Sequence, residues 1–197
     1  GLYDAINKGI ARATGEVVDN CQKRPQNFFE ERAMTVQQVT DSLSHTIRQL
    51  RERWPQVRII LTVSPIRYKK YGFHGSQLSK STLLLGTAEA ERLFDGVYYF
   101  PSYEIMNDEL RDYRFYAEDM LHPSAQAVAY IHECMGRVFF GPAMTRFLAE
   151  WHPVKAALNH RPFNAQSEEY RTFMDKTRQR VDALSKKYPN FAIDIKR

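Results

Sequence analysis

The sequence predicts an α/β sandwich built around a parallel sheet, and three observations predict it. Residues 57–63 form a short, β-branched and almost wholly apolar run, as a strand covered on both faces requires. Residues 97–100, Val-Tyr-Tyr-Phe, form a second, aromatic run. Helical periodicity precedes the first run, separates the two and follows the second.

Each element has its own local justification. Thr35, Val36, Gln37 and Gln38 read as a capping box, and Val36, Val39, Leu43, Ile47, Leu50 and Trp54 follow at steps of three and four, so residues 35–53 should form an amphipathic helix that Pro55 closes. Ser64 and Pro65 end the first strand. A polar loop over 67–76, with Gly72 and Gly75, reads as a flexible entrance loop and leads to a helix over 77–94. Gly96 opens the aromatic strand. Pro123 suits the first turn of another helix, with Val128, Ile131, Met135 and Val138 on one face. Gly141 and Pro142 mark a boundary between an α/β domain over 1–141 and a helical extension over 142–197. Within the extension, Tyr170, Phe173, Thr177, Val181 and Leu184 keep helical spacing, with a turn-rich break at 159–164 before them.

Composition narrows the function classes. The chain has 197 residues, 43% hydrophobic and 26% charged, enough for one ordinary core with an appendage. Its net charge of +5 comes from Lys and Arg interleaved with Asp and Glu, without the dense basic tract of a nucleic-acid binder. The longest apolar run is too short to cross a bilayer, so no membrane partner is expected. Two cysteines make no disulfide framework and fit a reducing, cytoplasmic address. The six histidines show no zinc spacing, and the glycines match neither a Walker loop nor a dinucleotide fingerprint, so neither metal nor cofactor is expected.

The segment from Arg111 to Ser124 is the densest in candidate chemistry. Asp119 and His122 stand three residues apart, just before a helix start. A carboxylate on one imidazole nitrogen sets the tautomer and leaves the other nitrogen free to accept a proton. The same spacing also suits a helix N-cap with no catalytic role. Arg111, Asp112, Arg114 and Glu118 also suit a structural salt-bridge network, the reading preferred for Arg111 and Asp112. In a parallel sheet, ligands bind beyond the carboxyl ends of the strands, where Ser64, Arg67 and Ser102 to Glu104 lie. Tyr98, Tyr99, Tyr103, Tyr113 and Tyr116 read as core more than as stacking surfaces.

Four segments carry a resemblance to a known family: residues 62–67, Thr-Val-Ser-Pro-Ile-Arg; residues 77–85; residues 99–106; and the long run from Asp108 to Ser124. With an Asn-Cys-Gln-Lys stretch at 20–23, they resemble the GSCFA family in the expected order over residues 15 to 140. The resemblance implies a three-layer α/β/α sandwich of the SGNH or flavodoxin-like kind, and a Ser, Asp and His site without a metal. Asp119 and His122 match the terminal Asp-x-x-His block. The Gly-Ser-Cys-Phe-Ala motif that would hold the nucleophile is absent from these residues, and the chain opens on Gly1. A missing N-terminal segment carrying the first strands and the serine is therefore expected, which would leave this chain by itself inactive.

Asn20 matches an oxyanion asparagine and reads equally as a turn former. Ser64 is the one internal serine worth testing as a substitute nucleophile, against a plain strand-ending cap. Arg67 joins these two as a substrate-binding or oxyanion candidate. The functional expectation is an ester hydrolase acting on a small acylated, possibly carbohydrate, substrate. The alternative is a non-catalytic binding or assembly module that keeps the fold, with the C-terminal helices packing on a partner or a second copy.

Overall fold

The computed structural model describes residues 6–11 and 25–189. Their contacts divide into two units, one ending at Glu133 and one beginning at Cys134.

In the first unit, β1 (Ile6–Ala11) and β2 (Phe29–Ala33) pair antiparallel, with Ile6 opposite Ala33 and Ala11 opposite Phe29. Phe-Glu-Glu-Arg-Ala has no β-branched residue, so its pattern gives no sign of a strand. The helix that follows was legible. Thr35 Oγ1 accepts from the Gln38 amide at 3.2 Å, and Gln38 Oε1 accepts from the Thr35 amide at 2.9 Å, which closes the expected capping box and starts α1 (Val36–Arg53). Val39 and Ile47 are buried on its inner face. Trp54, expected on the same face, is instead 53% exposed. It is the C-cap, its amide donates to Leu50 O at 2.8 Å, and its departure from helical dihedrals swings the indole out of the stripe, near the Arg53 guanidinium.

β3 (Ile59–Leu61) and β4 (Val97–Tyr99) pair parallel, Ile59 opposite Val97 and Leu61 opposite Tyr99. Phe100 N donates to Leu61 O at 2.8 Å and Ile59 N to Gly96 O at 3.0 Å, extending the ladder at both ends. The fold is thus mixed α/β, and among the described residues its parallel sheet has two short strands. Tyr98 faces solvent, 41% exposed, so the aromatic strand is only partly core.

The crossover is α2 (Gly72–Leu93). It starts five residues before the expected Gln77, and Gly72, Phe73, His74 and Gly75 form its first turn instead of a flexible loop. A 3₁₀ turn at Lys69–Tyr71 leads into it, and Gly72 reverses the chain at φ 67°, a conformation that a side chain would strain. The buried stripe of α2 includes Ser79, Lys80, Leu83, Gly86, Thr87 and Ala90. Gly86 sits against Val39 of α1, where a Cβ would come within 2.5 Å of Val39 Cγ1. Two clusters result: Val39, Val63 and Leu83, and then Ile47, Ala90 and Val97.

Beyond β4, the short helix α3 (Ser102–Glu104) widens into a π-turn at Ile105–Glu109. Met106 and Leu110 pack on Ala127 of α4 (Ala125–Phe139), with Phe115, Tyr116, Tyr130 and Ile131 around them. The packing contacts of α4 in this unit therefore come from Ala127, Tyr130 and Ile131, while Val128 is 52% exposed. Pro123 lies outside the helix. Ser124 takes the cap position, its hydroxyl accepting from the Ala127 amide at 3.2 Å.

The second unit contains α5 (Pro142–Leu158) and α6 (Glu168–Lys187). Pro142 starts α5, where a missing N–H costs nothing, and Ser167 caps α6 by accepting from Tyr170 N at 3.1 Å. Val154 of α5 packs against Val181 and Leu184 of α6. The expected face of α6 is buried at Thr177, Val181 and Leu184, while Phe173 is 38% exposed.

Candidate active site

The loop between Phe115 and Ser124 is pinched at its base. Ser124 N donates to Phe115 O at 2.7 Å, Ala117 N donates to His122 O at 2.8 Å, and Tyr116 bridges Pro123. Inside the pinch, Asp119 Oδ1 accepts from the amides of Leu121 at 2.9 Å and His122 at 3.0 Å. Both amides can reach one oxygen because Met120 turns the chain back at φ 61°, the one left-handed non-glycine among the described residues. Such a conformation costs on the order of 1–3 kcal/mol and persists where the surroundings demand it.

The other oxygen, Asp119 Oδ2, lies 2.6 Å from His122 Nδ1. The His122 and Leu121 amides, with the imidazole contact after them, hold the Asp119 carboxyl down at about 2, below its ordinary 3.8. An ionised carboxylate can only accept, so the imidazole proton sits on Nδ1 and Nε2 is left as the base. The His122 side chain is 60% exposed, which leaves it reachable by a hydroxyl.

A depressed acid contributes stability that is complete above its unfolded pKa and is lost as pH falls through the folded one. The Asp119 contribution should therefore be full above pH 3.8 and disappear as pH falls through about 2. Urea midpoints of the parent and of Asp119→Asn should differ above that range and converge as pH falls through about 2. A difference that does not shrink across that acid range would refute this assignment.

The loop is tied to the end of β3. Arg67 N donates to Leu121 O at 3.0 Å, so the segment after the first parallel strand and the Asp119 segment share a cleft of about 710 Å³. The expected convergence at the carboxyl ends of the strands thus holds for Arg67 and Asp119, both of which line the cleft. Ser64 is not among the lining residues. Its hydroxyl accepts from Ile66 N at 3.4 Å, a long turn contact. Asn20 lies outside the described residues.

Of the charges expected to form a salt-bridge network, Asp112 and Arg114 do meet, while Arg111 does not join them. Asp112 does not turn to Arg111: its Oδ1 accepts from Arg114 N at 2.9 Å, capping a 3₁₀ turn at Tyr113–Phe115, and its Oδ2 lies 3.8 Å from Arg114 Nε. Arg111 lines the cleft instead.

Lys80 was not singled out by sequence reasoning. It lines the cleft, is 2% exposed, and donates from Nζ to Ser64 O at 2.7 Å. Its signal was available, since Lys80 stands three residues before Leu83 on the buried stripe of α2, where a charge is out of place. Lys80→Met should lower stability by about 1–3 kcal/mol by leaving the Ser64 carbonyl without this donor. An unchanged urea midpoint would show that the bond makes no net contribution. Tyr103 and Phe73 also line the cleft, and the Tyr103 hydroxyl bonds to Gln77 Oε1. Burial pushes the Tyr103 and Tyr116 hydroxyls above their usual range, so both are neutral donors at ordinary pH.

An imidazole held by an ionised carboxylate, beside a cleft beyond the ends of parallel strands, defines a mixed α/β protein with a candidate acid–base site. Residues 10–135 match the GSCFA family, and residues 151–196 match the GSCFA domain protein, C-terminal domain. The first match takes in more than half of the chain, and the chain belongs to the GSCFA family. No curated protein and no solved structure matches the chain. Among the described residues, no helix is long and apolar enough to cross a membrane, and no group of three His, Cys, Asp or Glu side chains is placed to hold a metal ion.

Proposed function

We propose that the chain carries the acid–base half of a serine-type ester hydrolase of the SGNH kind, on a three-layer α/β/α scaffold, acting on a small acylated substrate such as an acylated sugar. The observation that carries this reading is the 2.6 Å contact between Asp119 Oδ2 and His122 Nδ1. The Asp119 carboxylate is already oriented by two backbone amides, so it fixes the imidazole without reorganising during the reaction.

In this mechanism Nε2 takes the proton of a serine hydroxyl as that oxygen attacks the ester carbonyl. The imidazolium formed is stabilised by Asp119 and returns the proton to the departing alkoxide. A water then repeats the cycle on the acyl-enzyme. The serine is proposed to come from a Gly-Ser-Cys-Phe-Ala segment, which these 197 residues do not contain. Asn20 is proposed as an oxyanion donor and Arg67 as a substrate contact.

The test is intact-mass analysis after treatment with a fluorophosphonate, on protein that carries this chain together with such a segment, with His122→Ala in parallel. General-base assistance is worth about 10²- to 10⁴-fold, so labelling at one serine should slow by at least about 100-fold in the variant. Equal labelling rates in the two proteins would sink the reading.

A further inference from the structure

The cleft has an unusual charge inventory for one lined so heavily by aromatic rings. Arg67, Lys69, Lys80 and Arg111 contribute cations, and Asp112 and Asp119 are the lining carboxylates. Both carboxylates are occupied locally. Asp112 is bound to the Arg114 amide, and Asp119 to two amides and an imidazole.

Arg67 is the cation with the most defined setting. Its guanidinium carbon lies 5.1 Å from the ring centre of Phe73, 5.5 Å from that of Tyr116 and 5.9 Å from that of Tyr113. Among the described residues, no carboxylate forms an ion pair with it and no acceptor takes a hydrogen bond from its side chain. Its backbone amide is committed to Leu121 O, which anchors the residue at the cleft wall whatever the side chain does. Three rings thus hold a half-buried guanidinium, and among the described residues none takes up its five N–H donors. A partly desolvated charge with idle donors is a costly arrangement for structure alone and a prepared one for an anion. The positive field of Arg67 also reaches the cleft hydroxyls, where it opposes the effect of burial on Tyr116 and on Tyr103.

We infer that this cleft binds an organic oxyanion, a carboxylate or a phosphate on a flat apolar body, with Arg67 pairing the anion and the Phe73, Tyr113 and Tyr116 rings packing the body. Arg111 and Lys69 add attraction from the cleft wall. That this ligand is the substrate rests on the hydrolase reading, and the anion site itself does not. Under both, the ester acted on carries an acidic group away from the scissile bond.

The test is calorimetric titration of the 197-residue chain with benzoate, phenyl phosphate and benzamide, the last a neutral body of the same shape. At least one anion should bind about tenfold more tightly than benzamide, in line with one charge-assisted pair, and added salt should weaken the anion and spare the amide. The tighter of the two anions identifies the chemistry. Arg67→Gln should remove the discrimination, and Arg67→Lys, which keeps the charge and loses the planar fork, should restore part of it. Failure of both anions to bind, or benzamide binding as tightly as they do, overturns the inference on the parent protein alone, even if no Arg67 variant folds. Discrimination that survives in a folded Arg67→Gln protein overturns it as well. If anions bind and fluorophosphonate labelling ignores His122, the hydrolase reading falls alone; if labelling depends on His122 and anions do not bind, the anion site falls alone.

Discussion

Replacing His122 by alanine is expected to lower kcat/KM for an ester by about 10²- to 10⁴-fold in protein supplied with the nucleophile, the usual worth of a positioned base. The physical case rests on a single nitrogen. Nδ1 is taken up by Asp119 at 2.6 Å, so Nε2 alone can receive a proton, and His122 follows directly on the cleft-lining residues Asp119, Met120 and Leu121 without being one of them. Asp119→Asn should act in the same direction. An asparagine oxygen can still accept from the Leu121 and His122 amides and keep the loop, while the charge that stabilises the imidazolium is gone. Because the Asp119 carboxyl stays ionised down to about 2, the acid side of the pH–rate profile should report a group other than Asp119. Full turnover by His122→Ala would refute the mechanism, and an acid limb that vanishes in Asp119→Asn would refute the assignment of its charge state.

Gly86→Val should cost stability at the upper end of the about 1–3 kcal/mol typical of overpacking. A Cβ at position 86 would stand 2.5 Å from Val39 Cγ1 and 2.9 Å from Val39 Cβ, far inside contact distance. Val39 cannot give way cheaply. It is 3% exposed, it is part of the cluster with Val63 and Leu83, and its branched side chain is held to one rotamer in a helix. The helices α1 and α2 must then move apart, and α2 carries Lys80 and Phe73 at the cleft. The better helix propensity of valine recovers only a few tenths of a kcal/mol against glycine. A loss of about 3 kcal/mol corresponds to a fall in Tm of roughly 6–12 °C for a chain of this size. The assignment is checked by a double-mutant cycle with Val39→Ala, which should rescue part of the loss. Strict additivity of the two changes would mean that the close approach of the helices is not the cause.

Several elements were legible because their causes are local. The α1 start is written in Thr35 and Gln38, whose reciprocal bonds span three residues. The α6 face is written in the spacing of Thr177, Val181 and Leu184. The two strand runs are written in β-branched and aromatic residues, and their parallel pairing follows from the helix between them. Asp119 and His122 belong to the same group, since their contact also spans three residues of one loop.

Local signals misled where a neighbouring turn decided the outcome. Gly72 to Gly75 read as a loop and became the first turn of α2, with Gly75 close against Tyr71. Arg111 and Asp112 read as members of one salt-bridge network, and Asp112 went to Arg114 while Arg111 lines the cleft.

By itself the sequence determined the succession of elements and the carboxylate–imidazole pair, because capping, periodicity and short-range hydrogen bonds are properties of neighbouring residues. Only the tertiary structure decided which charges share the cleft: it brought Arg67 to Leu121, buried Lys80 against Ser64, and surrounded Arg67 with three rings while, among the described residues, bringing no carboxylate to it. The physical reason is that whether a charge is neutralised depends on what folding places within a few ångströms, and no stretch of neighbouring residues encodes that distance.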